Sequence, residues 1–432
     1  MVTACAFNGV PSEHSMGTRA MERTSYGEAF NHYRAAVCQA PDELLNIRDL
    51  IGVWGKLGHP GIVEGLVEEC EMPSLSRAYL RMLGYASSGQ PDRALEIIRA
   101  SKEDETLIGA DPWGQAEFLQ RAALIALVAG EQGLGRRLID RAALIAPQRC
   151  DIRLISAKAF LLEGELDSAL DEVRALRILN PEKDEVSRAR ILIQAIATAR
   201  EPALPELVRE QLNQYLSLLE RGEPGSGLLS EVTDFAERIG HSRAYVVAGM
   251  VALRLNLVFE GRRLLLEAAA LNPYSVAPHR VLGLSYVARK QAVEAFDPLN
   301  KAVNRDPFDP ELLISLGGVS VEMGEKIVAA STYRSLVKVE PERSAHFLAL
   351  ARVERSQGEY YRARATVTKG LELKQSIPLV LELAIIETEF FIAQSKATER
   401  RMARRQAHQA IDRLAELAPE HPALTSLISA LN

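Results

Sequence analysis

Five prolines divide much of this 432-residue chain into segments of one fixed length. Pro273, Pro307 and Pro341 are each 34 residues apart, and Pro147 and Pro181 are separated by the same interval. Each proline closes a stretch rich in helix-forming residues, such as EAAALNP and DRAALIAP. A period between 20 and 50 residues is the signature of a repeat array. Such units bury their apolar faces by stacking on their neighbours, so we expect an extended core.

The composition favours an all-helical, folded chain. Hydrophobic residues make up 47% and charged residues 25% of the sequence, as in ordinary globular proteins. Helix formers dominate, and no long alternation of β-branched residues predicts a sheet. The net charge of −6 gives no reason to expect a nucleic-acid surface.

The cysteines and the apolar runs suggest a cytoplasmic protein. Cys5, Cys38, Cys70 and Cys150 show no ligand spacing, so neither a disulfide framework nor a zinc site is expected. No apolar run reaches the roughly 18 residues of a membrane span. The first residues lack the pattern of a secretory signal, and residues 1–23 are polar and aperiodic, which predicts a disordered tail.

One period contains two helical patterns separated by a turn. In residues 276–307 the first pattern carries Leu282, Gly283 and Tyr286, and the second carries Ala295 and ends at Pro307. Residues 310–341 repeat this plan with Leu-Gly at 316–317, a turn at 324 and a small residue at 329. Small residues at these places let two helix backbones approach closely, and proline excludes helical backbone in the residue before it.

This pattern resembles the tetratricopeptide repeat, a helix–turn–helix unit of the same length. The resemblance covers most of the chain and implies a right-handed α-solenoid of about nine to ten hairpins. The period breaks between Pro181 and Ser242, where GEPGSG at 222–227 favours turns. We therefore predict a first array at 24–221, a linker at 222–227 and a second array at 228–432.

The resemblance also implies that first helices line a concave groove. Helical spacing assigns its inward positions, which are mostly apolar: Tyr79, Leu83, Leu124, Val128, Leu154, Leu161, Val246, Met250, Leu253, Arg280, Leu284, Val287, Ile314 and Val321. Curvature of the array could bury these positions. Alternatively they form a docking surface for a partner's peptide or helix, or the groove is filled by residues 184–240 or by a second subunit.

Motifs for catalysis, cofactors and metals are missing from the sequence. GEQGLG at 130–135 lies at an inter-helix turn without the strand that a phosphate loop needs. A basic run, Arg400, Arg401, Arg404 and Arg405, indicates either a solvated helix face or a contact for an acidic partner or an anionic membrane.

The resemblance implies a non-catalytic scaffold or adaptor that binds other proteins. The composition suggests a bacterial origin, where such arrays serve secretion, surface-polysaccharide or appendage assemblies. Two alternatives remain: a regulatory protein that sequesters a partner and releases it on ligand binding, and an RNA-binding repeat. Apolar inward faces and a negative charge argue against RNA. A homo-oligomer and a peripheral membrane contact stay open, and no cofactor is expected.

Overall fold

The computed structural model describes residues 12–57, 63–102, 111–179, 181–201, 203–222 and 226–431. Within these ranges the regular secondary structure is entirely α-helical. Residues 1–11 of the predicted disordered tail lie outside the described residues. Residues 13–22 of that segment form a helix, capped where Ser12 Oγ accepts a hydrogen bond from the Ser15 N–H.

Internal contacts divide the chain into two compact units, 1–175 and 176–432. Residues 223–225 of the linker predicted at 222–227 lie outside the described residues, and the flanking residues 222 and 226–227 belong to the second unit. The division into two arrays at that position remains a prediction. The helices described in the first unit are α1 (Glu13–Glu22), α2 (Tyr26–Gln39), α3 (Leu44–Leu57), α4 (Val63–Glu69), α5 (Ser74–Ser87), α6 (Pro91–Lys102), α7 (Pro112–Val128), α8 (Gln132–Ile145), α9 (Cys150–Glu163) and α10 (Leu166–Ala175).

The second unit contains a longer run of helices. Those described are α11 (Lys183–Ala199), α12 (Glu206–Glu220), α13 (Ser226–Ile239), α14 (Ser242–Arg254), α15 (Val258–Leu271), α16 (Ala277–Ala288), α17 (Ala292–Arg305), α18 (Pro310–Glu322), α19 (Lys326–Val339), α20 (Ser344–Ser356), α21 (Tyr360–Leu373), α22 (Ile377–Ala393), α23 (Ala397–Leu417) and α24 (Ala423–Leu431). From α14 to α23 they pack as consecutive hairpins, each stacked on the next. The predicted all-α solenoid of helical hairpins is confirmed.

The turn inside each hairpin has the same geometry in four successive repeats. Asn256, Lys290, Gly324 and Gly358 are 34 residues apart and all have positive φ, between 57° and 76°. The next residue donates its N–H to a carbonyl five residues earlier in the chain, at 2.8–3.0 Å. This satisfies carbonyl groups at the end of the first helix and reverses the chain within a few residues.

Glycines at a 34-residue spacing set the distance between paired helices. A Cβ on Gly249 would lie 2.6 Å from Leu265 Cγ, and one on Gly283 would lie 2.8 Å from Leu299 Cγ and 3.1 Å from the Leu299 backbone nitrogen. Gly317 lies equally close to the Tyr333 ring. The small residues predicted from the sequence are therefore places where one hairpin helix packs directly on the other.

One disulfide contradicts the expectation from the cysteine spacing. Cys38 at the end of α2 and Cys70 just after α4 are joined, although the sequence predicted no disulfide framework. The two residues are 32 positions apart, close to one period. Positions one period apart lie at equivalent places on successive units of a repeat array, which makes these cysteines neighbours. Cys150 is buried.

Crossing a bilayer requires a helix that is both long and apolar, and none of the helices described above combines the two properties.

The glycine contacts give a stability prediction with a matched control. We expect Gly283→Ala to lower the free energy of unfolding by about 1–3 kcal/mol, because the added methyl group overlaps Leu299 in a close-packed contact. Gly318 lies in α18, and a Cβ added there would have no neighbouring atom within 4 Å. Gly318→Ala should instead raise stability by roughly 0.5–1 kcal/mol, since alanine favours helix. Urea unfolding followed by circular dichroism measures both; a neutral or stabilising Gly283→Ala would contradict the packing described.

Candidate partner-binding groove

The inward positions predicted for the second unit differ widely in exposure. Val246 and Leu253 are buried in the hydrophobic core. Met250, Arg280, Leu284 and Val287 are half-buried, whereas Ile314 and Val321 are exposed. The first helices therefore present only part of the predicted surface, because neighbouring helices cover the rest.

Three of these positions line one large cleft. The cleft has a volume of about 1090 Å³ and includes Val246, Met250 and Arg280. Leu253, Leu284, Val287, Ile314 and Val321 are not part of its lining. Val321 instead borders a smaller cavity of about 370 Å³ beside Tyr333 and Arg352. We refer to the larger space as the cleft.

The opposite wall of the cleft is α11. Arg190, Ile191, Gln194, Ala197 and Thr198 of this helix line the space that α14 and α16 line from the other side. The sequence pattern placed α11 in a different array and did not assign it to the groove. Residues 184–240 were one of the occupants expected for the groove, and α11, which belongs to that segment, borders the cleft.

Polar contacts hold the segment 177–201 against successive repeats. Asn272 Nδ2 donates to the Ala197 carbonyl at 2.7 Å. Arg190 lies 3.7 Å from an Asp306 carboxylate oxygen. Lys338 donates to the carbonyls of residues 177–179 at 2.8–3.2 Å. Asn272, Asp306 and Lys338 are near the ends of three consecutive second helices, so the segment runs along the array in the reverse order of the repeats.

At the other end of this segment, a buried histidine faces a carboxylate. His241 Nδ1 accepts a hydrogen bond from the Arg243 N–H at 3.1 Å. His241 Nε2 lies 3.7 Å from Glu201 Oε2, beyond hydrogen-bonding distance. The other Glu201 oxygen is buried and makes no hydrogen bond. Both residues line the cleft.

Charged groups of both signs form the rim near α18. Arg280 pairs with Asp309 and with Glu311. Asp309 also caps α18 by accepting from the N–H groups of Glu311 and Leu312. Burial raises the pKa of Asp306; the hydrogen bond from the Phe308 N–H and the charge of Arg190 only partly oppose this. The rim therefore holds one carboxylate that is well paired and one whose charge is disfavoured by burial.

In the first unit, Tyr79 belongs to a buried network rather than to an open surface. Its side chain is fully buried, and its hydroxyl donates to Glu117 Oε1 at 3.0 Å. Burial alone would raise the pKa of Glu117, but hydrogen bonds from Arg149 and Arg121 hold this pKa below its usual value. Arg149 also pairs with Asp151. This network connects α5, α7 and α9, and nothing in the sequence spacing signalled it.

The remaining inward positions of the first unit are only partly accessible. Leu154 is buried, and Leu83, Leu124 and Leu161 are half-buried. Val128 is exposed at the end of α7. Of these inward positions Val128 alone is exposed, and an open apolar groove along these first helices stays a prediction.

The arginine run lies on an exposed face of α23. Arg400, Arg401, Arg404 and Arg405 are exposed, whereas Ala403 and Ala407 are buried. The Arg400 guanidinium lies 5.2 Å from the centre of the Phe391 ring. A solvated helix face and a contact for an acidic partner or an anionic membrane both require these arginines to be exposed. Contact with an acidic partner stays a prediction.

The hairpin geometry, the common turn and the 34-residue spacing of small residues together decide the fold. It is a tetratricopeptide-like array. Solved structures similar to parts of it include YrrB, a tetratricopeptide protein with an unusual peptide-binding site (14% identity, 46% of this chain and 97% of that chain, TM-score 0.38). MamA from Desulfovibrio magneticus is 18% identical over 40% of this chain and 97% of its own, with a TM-score of 0.32.

A third similar structure is PilF of Pseudomonas aeruginosa, at 17% identity over 52% of this chain and 97% of that chain, with a TM-score of 0.34. No protein-family model and no curated protein matches the sequence of this tetratricopeptide-like array.

The buried rim carboxyl group gives a pH-dependent prediction. Because folding raises the pKa of Asp306, its contribution to stability is fully present below the unfolded pKa and is lost as pH rises through the folded pKa. Asp306→Asn keeps the acceptor for the Phe308 N–H. We expect it to raise the urea midpoint near neutral pH, with the gain vanishing as the pH falls to about 4.

Asp309→Asn is the matched control, because this carboxylate has a strong arginine partner. It should lower the midpoint at neutral pH. Equal losses for both variants at neutral pH would show that the Asp306 charge is stabilising, contrary to this interpretation.

Proposed function

We propose that this protein is a non-catalytic interaction scaffold and that the cleft of the second unit holds a peptide or an amphipathic helix of a partner protein. The observation that carries the proposal is the cleft itself, whose volume of about 1090 Å³ is at the upper end of ligand pockets. A segment of polypeptide fits such a space better than a small metabolite does.

The lining indicates what the partner segment offers. Val246, Val247 and Met250 supply an apolar floor on α14, and Ile191 supplies an apolar side chain on α11. Arg190, Arg243 and Asp306 add charges of both signs. An amphipathic segment complements both the apolar floor and the charged rim, because its apolar side chains pack on the floor while its polar side chains contact the rim.

A second candidate function, sequestration with regulated release, is favoured by the way α11 is held. Polar side-chain contacts made by Arg190 and Asn272 hold this wall against the repeats. A ligand that competes for these polar groups would change the width of the cleft. In this version the same cleft holds the partner, and movement of α11 controls its release.

The cellular setting is proposed from the family resemblance alone, as part of a bacterial secretion, surface-polysaccharide or appendage assembly. The cytoplasmic location predicted from the sequence is weakened by the Cys38–Cys70 bond. Disulfides persist mainly in oxidising compartments. An extracytoplasmic site of assembly is therefore part of the proposal.

Peptides selected from a displayed random library against the full chain test the cleft. We expect Met250→Asp and Ile191→Asp, which place charge on opposite walls, each to weaken the selected peptide's Kd at least tenfold. Ile191 is exposed, so its substitution leaves folding intact. Leu207→Asp, at an exposed position of α12 outside the cleft, is the matched control and should bind normally.

Fluorescence anisotropy with a labelled peptide gives Kd, and thermal melts monitor folding. Selected peptides that bind all three variants as they bind the original chain would contradict the proposal. Lys338→Ala distinguishes the two candidate functions, because Lys338 holds the carbonyls of residues 177–179 and does not line the cleft. A fixed scaffold keeps the original dissociation rate, whereas regulated release predicts a changed one.

A further inference from the structure

Four large apolar side chains are exposed at the period of the repeat. Phe259, Val293, Ile327 and Tyr361 are spaced by 34 residues, with exposed fractions of 87%, 71%, 82% and 71%. Each is the second residue of the second helix in its hairpin, on α15, α17, α19 and α21. We call these four residues the turn ridge.

The turn ridge follows one edge of the second unit. Each member comes three residues after the positive-φ residue of its hairpin turn, so all four have the same local geometry. Successive hairpins stack on one another, and equivalent positions of stacked repeats therefore form a row. The core of these second helices is built by other positions, such as Ala295 and Leu299 of α17.

The fold does not require apolar residues at this position. In the first unit, the residues three positions after the turn glycines Gly89, Gly130 and Gly164 are Asp92, Gly133 and Asp167. The hairpins there form with polar or small residues in the same place. Tyr361 also packs edge-on against the Phe390 ring at 5.1 Å. A row of exposed apolar side chains, at a position that other hairpins fill with polar or small residues, marks an interaction site.

The order of the four residues fits a second copy of the same chain. Along the turn ridge it is aromatic, aliphatic, aliphatic, aromatic. In a two-fold contact, residue i meets residue j and residue j meets residue i. Two antiparallel ridges therefore place Phe259 of one copy against Tyr361 of the other, and Val293 against Ile327, so that like side chains meet.

One charged residue beside each of the two central members has a sign complementary to the other. Lys290 lies three residues before Val293, and Glu325 lies two residues before Ile327. Both are exposed. Antiparallel pairing brings Lys290 of each copy to Glu325 of the other. Opposite charges that meet across an interface fix its register.

The apolar area is of the size that a weak or moderate dimer uses. Aromatic side chains bury about 150–250 Å² each, so the turn ridge supplies over half of the roughly 800 Å² per partner in a standard interface. The exposed Leu257 and Leu266, beside and on α15, extend the same surface.

We propose that two copies of this protein pair antiparallel through the turn ridge, with Val293 against Ile327 and Lys290 against Glu325 across a two-fold axis. This interface is separate from the cleft, so dimerisation and capture of a partner segment do not compete for residues.

Sedimentation velocity of the full chain over a concentration series tests the pairing. We expect a monomer–dimer equilibrium that Ile327→Glu weakens at least tenfold, whereas Leu207→Glu, equally exposed on α12, leaves it unchanged. Circular dichroism confirms that both variants fold. A monomer at every concentration, or a dimer that tolerates Ile327→Glu, would overturn the proposal.

A charge exchange tests the antiparallel register. Lys290→Glu and Glu325→Lys should each weaken the dimer at low salt, because like charges then meet across the axis. The double variant should restore the original association and its salt dependence. Failure of the double variant to recover would overturn the proposed pairing, even if Ile327→Glu had separated the subunits.

Discussion

The close approach of two helices at a small residue, repeated every 34 positions, is the contact on which the second unit depends. Gly249, Gly283 and Gly317 lie so near the facing side chains that a methyl group has no room. With these contacts fixed, the leucines and tyrosine opposite them fill the space between the helices. A hairpin built this way has an apolar stripe left over, which only the next hairpin covers.

This stacking explains why the two candidate surfaces differ in kind. Inward residues of the first helices α14 and α16 face α11, and together these helices line a cleft with an apolar floor and a charged rim. The turns lie at the edge of the stack, where the side chains of the turn ridge remain exposed. An apolar residue there is exposed in each of four repeats. The 34-residue period thus produces two surfaces, the cleft and the turn ridge.

Much of the fold was predictable because its cause is local and periodic. Pro307 and Pro341 mark where second helices end, two residues beyond Arg305 and Val339. Leu282, Gly283 and Ala295 identify the hairpin, and all three are buried as expected. The turn at 324 was also predicted, and at the equivalent position 290 a lysine rather than a glycine adopts the positive φ.

The site was less predictable because it depends on contacts between distant segments. The pairing of Asn272 with the Ala197 carbonyl spans 75 positions, and no period relates the two residues. The buried Glu117 carboxylate accepts a hydrogen bond from Arg149, 32 positions away. Helical spacing would predict an apolar residue at such a buried position. The Cys38–Cys70 bond likewise follows from stacking and not from a cysteine motif.

Deletion of one whole period tests the dependence on stacking most directly. Removing residues 276–309 joins Ser275 to Pro310 and leaves the remaining hairpins in register, whereas removing residues 276–292 leaves α17 without its partner. Circular dichroism and urea unfolding of both variants would be compared with the full chain. We predict that the 34-residue deletion keeps the helical signal per residue and unfolds cooperatively at a lower midpoint, while the 17-residue deletion loses cooperativity. Loss of helix to the same extent in both variants would contradict a stack of equivalent hairpins.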